Sequence, residues 1–336
     1  MTIKDLAAQT GYAVATVSRV LNNHPNVSEK ARAAIMEAVE ESGFRLNENA
    51  KQLKQQHATS ILVVVKGTAN ELFSELLEFI QSRIAEMQYP LHVDYLDEEA
   101  NEVRRALQLC REKKPLGILF LGGNIRNFSA DFEKIDVPCV VLTNNMSALN
   151  YSNLSSVTVD DVEACCCAVD SLVERGHRKI AAISGDPETS DVGRARYEGC
   201  LKSLRYHGID FDPQLDFRGI RFSYQDGYNA TMDLLEKGRE FTALFTASDV
   251  MAVGAIRALH EKGLRVPQDV SVIGFDGLAV GSFMIPKLSS VVQPTHMMAD
   301  RAIEILISQF EGEVKPVHEM MPFELLEQES VAMLNQ

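Results

Sequence analysis

No two cysteines of this chain stand in CxxC spacing. The six lie at positions 110, 139, 165, 166, 167 and 200, so neither a zinc ribbon nor a thioredoxin-type redox site is expected, and a secreted disulfide framework is not expected either. No apolar stretch approaches the roughly 18 residues of a membrane helix. The first residues, Met1–Gln9, carry Lys4 and Asp5 without the apolar core of an export signal, and a soluble cytoplasmic protein is expected. The sequence also lacks GxGxxG, GxxxxGK(S/T), HExxH and GxSxG, the signatures of dinucleotide, nucleotide, zinc-hydrolase and serine-nucleophile chemistry. No catalytic residue, cofactor or metal ligand is assigned, and an enzyme is not expected.

What is present is ordinary globular composition, with 46% hydrophobic and 24% charged residues in a chain of 336. That length suits two or three domains. The net charge of −14 argues against nucleic acid at first sight, but it is unevenly spread. Residues 1–57 hold seven Lys/Arg and six Asp/Glu, net +1, so the rest carries −15. A nearly neutral head on an acidic body fits a small DNA-binding unit joined to a part that stays off DNA.

The first 45 residues read as three short helices. Thr2-Ile3-Lys4-Asp5 forms a capping box, followed by Leu6 and Ala7 at helical spacing and a break at Gly11. Residues 13–21 put Val17, Val20 and Leu21 on one face. Asn22–Asn26, with Pro25, is a loop. Ser28 then caps a helix with the stripe Ala31, Ile35, Ala38 and Val39, ended by Gly43. Helix, short turn, helix is the helix-turn-helix arrangement. Residues 47–57 are polar around the single large apolar residue Leu53, a linker that cannot bury much alone.

From Ser60 the texture changes. Apolar runs at 61–65, 91–95, 117–121 and 139–142 alternate with helical patterns at 70–87 and 98–113, and a turn is expected after 121. The cycle restarts with helices at 161–175, 193–207, 225–236 and 249–262 and strands at 179–184, 244–246 and 270–274. Interleaved strands and helices mean βαβ units and parallel sheets, and two such sets mean two α/β subdomains. Asn144–Ser156 is polar and is expected to be irregular. A last helix, 297–311, and strand-like pieces to 330 complete the body.

Five motifs then carry a resemblance: Thr16-Val17-Ser18-Arg19-Val20-Leu21-Asn22, Asn47-x-x-Ala50-Lys51-x-Leu53, Gly176-His177-x-x-Ile180, Ser248-Asp249-x-x-Ala252-x-Gly254, and Val270-Ser271-Val272-Ile273-Gly274-Phe275-Asp276. In this order and spacing the chain resembles the lactose-repressor/galactose-repressor family of bacterial transcription regulators over essentially its whole length. The resemblance implies an N-terminal all-α helix-turn-helix headpiece plus an α/β periplasmic-binding-protein-like core of two doubly wound parallel-sheet subdomains. It places the headpiece at 1–46, a hinge helix at 47–57 and the core at 58–336. The core divides into an N-subdomain (about 58–158 plus 292–321) and a C-subdomain (about 159–291 plus 322–336), with crossings near 157–160, 290–294 and 320–323. A small-molecule effector lies between them, beyond the carboxyl ends of the strands.

The resemblance further assigns base-reading positions to Val14, Ala15 and Arg19. Arg19 has the fork for a guanine edge, while Val14 and Ala15 offer only apolar contact with a thymine methyl, or else fill the helix. Thr2, Ser18, Asn22, Asn26 and Ser28 match phosphate-contacting positions, with simple capping the alternative for each and above all for Ser28. Leu53 matches a leucine wedged into the minor groove at the operator centre, flanked by Asn47 and Ala50; a linker leucine covering a core patch is the alternative. A homodimer on a near-palindromic operator is expected, and no heptad tail follows Ser330 to build a tetramer.

The effector positions implied are Phe73 and Phe222 for stacking, Arg196 for hydroxyls or a carboxylate, Asp276 as an acceptor for paired hydroxyls, and Thr143 and Ser248, where relatives often carry Asp and Asn. Gly277 stands where a second Asp is frequent. A carbohydrate effector is favoured by the resemblance, and a nucleobase or nucleoside is the second reading because of the two phenylalanines. Cys165-Cys166-Cys167 point about 100° apart on a helix and cannot converge on one metal. His177 is expected to make structural hydrogen bonds, and the acid pairs 98–99 and 160–161 to be solvated or capping.

Overall fold

The computed structural model describes residues 3–13, 16–17, 20, 28–42, 60–67, 70–237, 240–312 and 315–334. Its contacts fall into two units, Met1–His57 and Ala58–Gln336.

In the first unit, helix α1 (Ile3–Thr10) and helix α2 (Glu29–Ser42) pack together. Leu6, Ala7, Val17, Val20 and Ile35 form its buried cluster, with Tyr12 and Val39 against it. Gly11 closes α1 with φ +72°, its N–H donating to the Ala7 carbonyl at 3.0 Å; glycine adopts this left-handed conformation without penalty. Thr16, Val17 and Val20 are helical. The Ser28 hydroxyl accepts from the Ala31 N–H at 3.4 Å, a long cap on α2.

The second unit starts with β1 (Ile61–Lys66), α3 (Glu71–Glu86), β2 (Leu91–Leu96), α4 (Glu102–Lys113), β3 (Gly117–Leu121), α5 (Ile125–Asp131), β4 (Cys139–Leu142) and β5 (Leu154–Val159). It continues with α6 (Asp161–Glu174), β6 (Ile180–Gly185), α7 (Asp191–Tyr206), β7 (Phe217–Ile220), α8 (Tyr224–Lys237), β8 (Ala243–Thr246), α9 (Asp249–Glu261), β9 (Ser271–Asp276) and β10 (Ser289–Val292). Then come α10 (Thr295–Glu311), β11 (His318–Met321) and β12 (Glu324–Leu326). Two six-stranded sheets result, ordered β11-β5-β4-β3-β1-β2 and β12-β10-β9-β8-β6-β7. Every pairing is parallel except that of β12 with β10.

The chain passes from the first sheet to the second after β5, back after β10, and over again between β11 and β12. Each passage leaves the carboxyl end of a strand. The direction of β12 follows from this. The chain reaches the second sheet beside the end of β10, where Glu324 pairs Val292, and must run back down to Leu326 opposite Ser290.

The central strands are apolar throughout, as strands buried on both faces must be: Ile-Leu-Val-Val-Val in β1, Ile-Leu-Phe-Leu in β3, Cys-Val-Val-Leu in β4. Strand β5 begins inside the stretch expected to be irregular. Its serines hid it, and the fold uses them: Ser155 Oγ accepts from Gln309 Nε2 (2.8 Å) and the Val317 N–H (3.0 Å), and Ser156 Oγ pairs with His318 Nδ1 at 2.8 Å. The turn expected after β3 is helix α5, capped by Asn124, whose side chain accepts from the Arg126 N–H. His177 bonds to the Thr242 hydroxyl and the Ala332 carbonyl, a structural role. Cys165 and Cys166 are buried against α7, where Cys166 Sγ donates to the Gly199 carbonyl at 3.2 Å. Among the described residues no helix is long and apolar enough to cross a membrane.

Helices α8 and α9 make the closest helix contact of the second lobe. A Cβ on Gly254 would stand 2.1 Å from the Tyr224 carbonyl oxygen, and one on Gly227 2.4 Å from that of Met251. Two glycines facing two carbonyls bring the backbones together, and a methyl group would pry them apart. Gly254→Ala gains helix propensity of about 1 kcal/mol against overpacking of roughly 1–3 kcal/mol or more. We expect a fall in melting temperature of about 2–8 °C by calorimetry, the contact with a backbone carbonyl putting the cost at the upper end; an equal or higher value would mean that the helices separate freely.

Candidate functional site

Between the carboxyl ends of the two sheets lies a cleft of about 800 Å³. The first lobe lines it with Lys66, Asn70, Phe73, Asp97–Glu99, Gly122–Asn124, Thr143 and Asn144, and the second with Asp186, Ser190, Arg196, Arg221, Phe222, Asp226 and Asp276, among others. Of the six effector positions expected from sequence, the cleft gathers five: Phe73, Thr143, Arg196, Phe222 and Asp276.

Arg196 is the centre of the floor. It projects from α7 and is fully enclosed. Its Nε donates to Asp161 Oδ1 at 2.8 Å, its Nη1 to the Ala247 carbonyl at 2.6 Å and to Asp276 Oδ1 at 3.2 Å. The guanidinium carbon lies 3.7 Å above the Phe275 ring. Burial works against its charge, but Asp161 and Asp276 more than offset this and its pKa is raised. Asp276 ends β9 with φ +111°. Burial lifts its carboxyl to about 6 although Arg196 pulls the other way. A folded pKa above the ordinary aspartate value of 3.8 means that ionising this group costs stability, lost as pH rises from about 4 through about 6. Behind it, Asp249 is pushed by burial to about 8, with Asp276 adding to the rise.

The two phenylalanines sit on glycines. A Cβ on Gly122 would meet the Phe73 ring at 2.9 Å, and one on Gly185 the Phe222 ring at 2.6 Å. Each lobe thus presents one aromatic ring over a bare strand end. Thr143 is buried with φ +72°, its hydroxyl 3.4 Å from Asn144 Oδ1, which also accepts from the Gly123 N–H.

The four basic side chains among the described cleft residues are already engaged. Lys66 pairs with Glu102 at 2.6 Å, Arg221 with Asp97 and Glu99 at 3.0 Å each, and Arg126 donates to the Glu188 carbonyl at 3.2 Å; Arg196 is held as above. Some of these contacts join the lobes. Arg221 reaches from the second to the first, and Asp191 Oδ2 accepts from the Ile125 N–H at 2.6 Å.

Three sequence expectations need correction. Ser248 does not line the cleft: it is buried at the start of α9, its hydroxyl accepting from the Met251 N–H at 3.3 Å. The pair 160–161 is not merely solvated or capping. Asp160 caps α6, but Asp161 is turned inward onto Arg196. Glu98 is half-buried at the cleft rather than on an open face, while Glu99 beside it stays 74% exposed as expected. A second aspartate at Gly277 has no room, since a Cβ there would lie 2.8 Å from Val292 Cα. Asn144, Lys66 and Arg221 were not anticipated. Only their places, Lys66 as the last residue of β1 and Asn144 and Arg221 just after β4 and β7, could have pointed to them.

Of the DNA positions, Ser28 is exposed and makes the weak cap on α2. Thr2, Val14, Ala15, Ser18, Arg19, Asn22, Asn26, Asn47, Ala50 and Leu53 lie outside the described residues.

Residues 2–47 match the model of bacterial regulatory proteins of the lacI family, and residues 169–331 that of a periplasmic binding protein-like domain. The chain is 35% identical to the HTH-type transcriptional regulator MalR of Clostridium butyricum over 98% of its own length and 99% of the relative's. It superposes on the lac repressor dimer bound to operator and the anti-inducer ONPF with a TM-score of 0.78, at 26% identity and 99% coverage of each chain. The transcriptional regulator CelR in complex with cellobiose gives 0.71 at 26% identity, covering 98% of this chain and 99% of that one. These relatives are regulators of transcription, not enzymes. The architecture of a helix-turn-helix head and two parallel α/β lobes, joined to an identity of this extent, shows that the chain belongs to the lacI family of DNA-binding bacterial transcription regulators.

Proposed function

We propose that the chain is a repressor that binds a near-palindromic operator as a homodimer, with its affinity set by an uncharged, polyhydroxylated ligand in the interlobe cleft, a carbohydrate in class. The observation that carries the ligand class is the charge balance of the cleft. Lys66, Arg196 and Arg221 are ion-paired, Arg126 donates only to a backbone carbonyl, and the lining carboxylates Asp97, Glu98, Glu99, Asp186, Glu188, Asp226 and Asp276 outnumber these four cations. A phosphate or carboxylate would enter a lining of net negative charge. Arg196 and Asp276 instead offer a rigid donor fork beside an acceptor, suited to vicinal hydroxyls, and Phe73 and Phe222 suit the apolar face of a sugar ring. The cellobiose complex of CelR is consistent with this reading. A nucleoside is the second reading, favoured by the same two rings.

Ligand in the cleft shifts the balance between lobe arrangements and so the operator affinity; by linkage the operator shifts ligand affinity equally, typically by about 1–3 kcal/mol. In the DNA-binding unit, Arg19 reads a base edge, Thr2, Ser18, Asn22, Asn26 and Ser28 hold phosphates, and Leu53 wedges the minor groove. The homodimer is supported by Phe283 and Ile285, which flank Met284 on the second lobe and stand 87% and 95% exposed. Two such side chains in water mark a protein contact.

A thermal-shift screen against neutral mono- and disaccharides, sugar phosphates and nucleosides tests the ligand class. A ligand at 100 times its dissociation constant stabilises the fold by about 2.7 kcal/mol, a rise of several degrees. The expected hit is a neutral saccharide, with its phosphate ester weaker. A nucleoside hit alone establishes the second reading. Arg196→Lys keeps the buried charge but loses the fork, and should abolish the shift in a folded protein; an undiminished shift removes Arg196 from the site.

Leu53→Ala should weaken binding to an operator obtained by in vitro selection by about tenfold to a hundredfold. Binding to random DNA should change little, and equal losses on both would exclude the wedge. The double variant Phe283→Asp, Ile285→Asp should sediment as a monomer where the native chain is dimeric. An unaltered dimer would place the contact elsewhere.

A further inference from the structure

Gln293 lies where the chain crosses from the second lobe to the first, between the last residue of β10 and the start of α10. It is buried. Its backbone N–H donates to the Asp276 carbonyl at 3.1 Å, and its side-chain Nε2 donates to Asp276 Oδ1 at 2.8 Å. Its own carbonyl, Oε1, is buried without a partner. Turning the amide over would not relieve this, because Oε1 would then face the Asp276 carboxylate. The amide is therefore locked by the one bond it makes, and a buried acceptor is left empty for the sake of that bond. An amide here is explained by what it does to Asp276.

Asp276 Oδ1 takes both Gln293 and Arg196, and among the hydrogen bonds of the described residues Oδ2 takes none. Asp276 lines the cleft, so Oδ2 is the oxygen left for a ligand. Arg196 in turn holds Asp161, which directly follows the first crossing after β5. One chain of contacts, Asp161–Arg196–Asp276–Gln293, thus runs from one lobe crossing to another through the cleft floor.

We infer that Gln293 is a positioning residue of the effector site: it aims the Asp276 carboxylate and ties that carboxylate to the crossing between β10 and α10. This rests on the reading of the cleft as the effector site, and extends it by naming the residue through which the floor of the cleft meets the segment that must flex when the lobes move. The charged groups facing the Asp276 carboxylate are Arg196 from α7, Asp161 from α6 and Asp249 from α9. None of them lies on the crossing itself, so Gln293 is the contact between carboxylate and crossing.

The test needs no effector. In the full chain labelled with 13C at aspartate carboxyls, the Asp276 resonance, identified by its loss in Asp276→Asn, should titrate near pH 6. In Gln293→Met a donor to the charged form is gone, and the midpoint should rise by about half a unit or more. Gln293→Asn, with a donor on a shorter arm, should fall between and stands in if the methionine variant does not fold. Conversely, Asp276→Asn should speed hydrogen exchange in the peptide spanning 289–297 several-fold while leaving β6 unchanged. A midpoint that stays put in Gln293→Met, or a crossing whose exchange ignores Asp276→Asn, overturns the inference. A shifted midpoint together with an empty ligand screen would instead discard the effector reading and keep Gln293 as the partner of Asp276.

Discussion

The buried guanidinium of Arg196 organises the second unit of this protein. A cation taken out of water must find counter-charge and hydrogen-bond acceptors, and those of Arg196 come from separate parts of the fold: Asp161 at the start of α6, the carbonyl of Ala247 after β8, and Asp276 at the end of β9. Satisfying it draws three strand-to-helix junctions to one point. That point is the floor of the cleft, at the carboxyl ends of the strands, where the chain also changes lobes. The same side chain that would grip a ligand therefore holds its lobe together, and a disturbance at the ligand is felt at the junctions without any long relay.

The rest of the cleft is tuned around that centre by omission as much as by addition. Gly122 and Gly185 give the two phenyl rings bare backbone to lie on, and Gly277 keeps the end of β9 tight against Val292. Three of the four described lining cations are ion-paired and the lining carboxylates outnumber them, so the cleft wall carries net negative charge.

Much of this was legible in the sequence because parallel strands buried on both faces cannot hide. Ile61–Val65, Gly117–Leu121 and Cys139–Leu142 are unbroken apolar runs, and the helices between them carry their stripes openly. The elements that escaped are those whose polar atoms are satisfied by distant chain. Strand β5 reads as a polar loop until Gln309 and Val317 are seen to occupy Ser155. Edge strand β7 is short and holds Arg218 and Gly219. In the cleft, Phe73, Arg196 and Asp276 were placed by motif. Ser248 was misplaced because a serine before a helix serves equally as cap or as ligand contact, and only the direction of its hydroxyl decides. Asp161 was misjudged for the converse reason, as one of two adjacent acids at a helix start where the local pattern does not say which faces inward.

The threading of the chain has a consequence for its synthesis. The first sheet acquires β11 only at His318–Met321, and α10, which packs on that sheet, begins at Thr295; the second sheet is finished by β12 and by Ser330, buried against Val272 and Ser289. Residues up to Val159 leave the ribosome with an open edge on β5 that stays uncovered for about 160 further residues. At about 5–20 residues per second that is on the order of 10–30 s. Neither lobe can close by itself and wait for the other, so the nascent first lobe carries an unpaired parallel edge for longer than most domains take to fold, and its serines at 155 and 156 keep that edge more polar than the strands behind it.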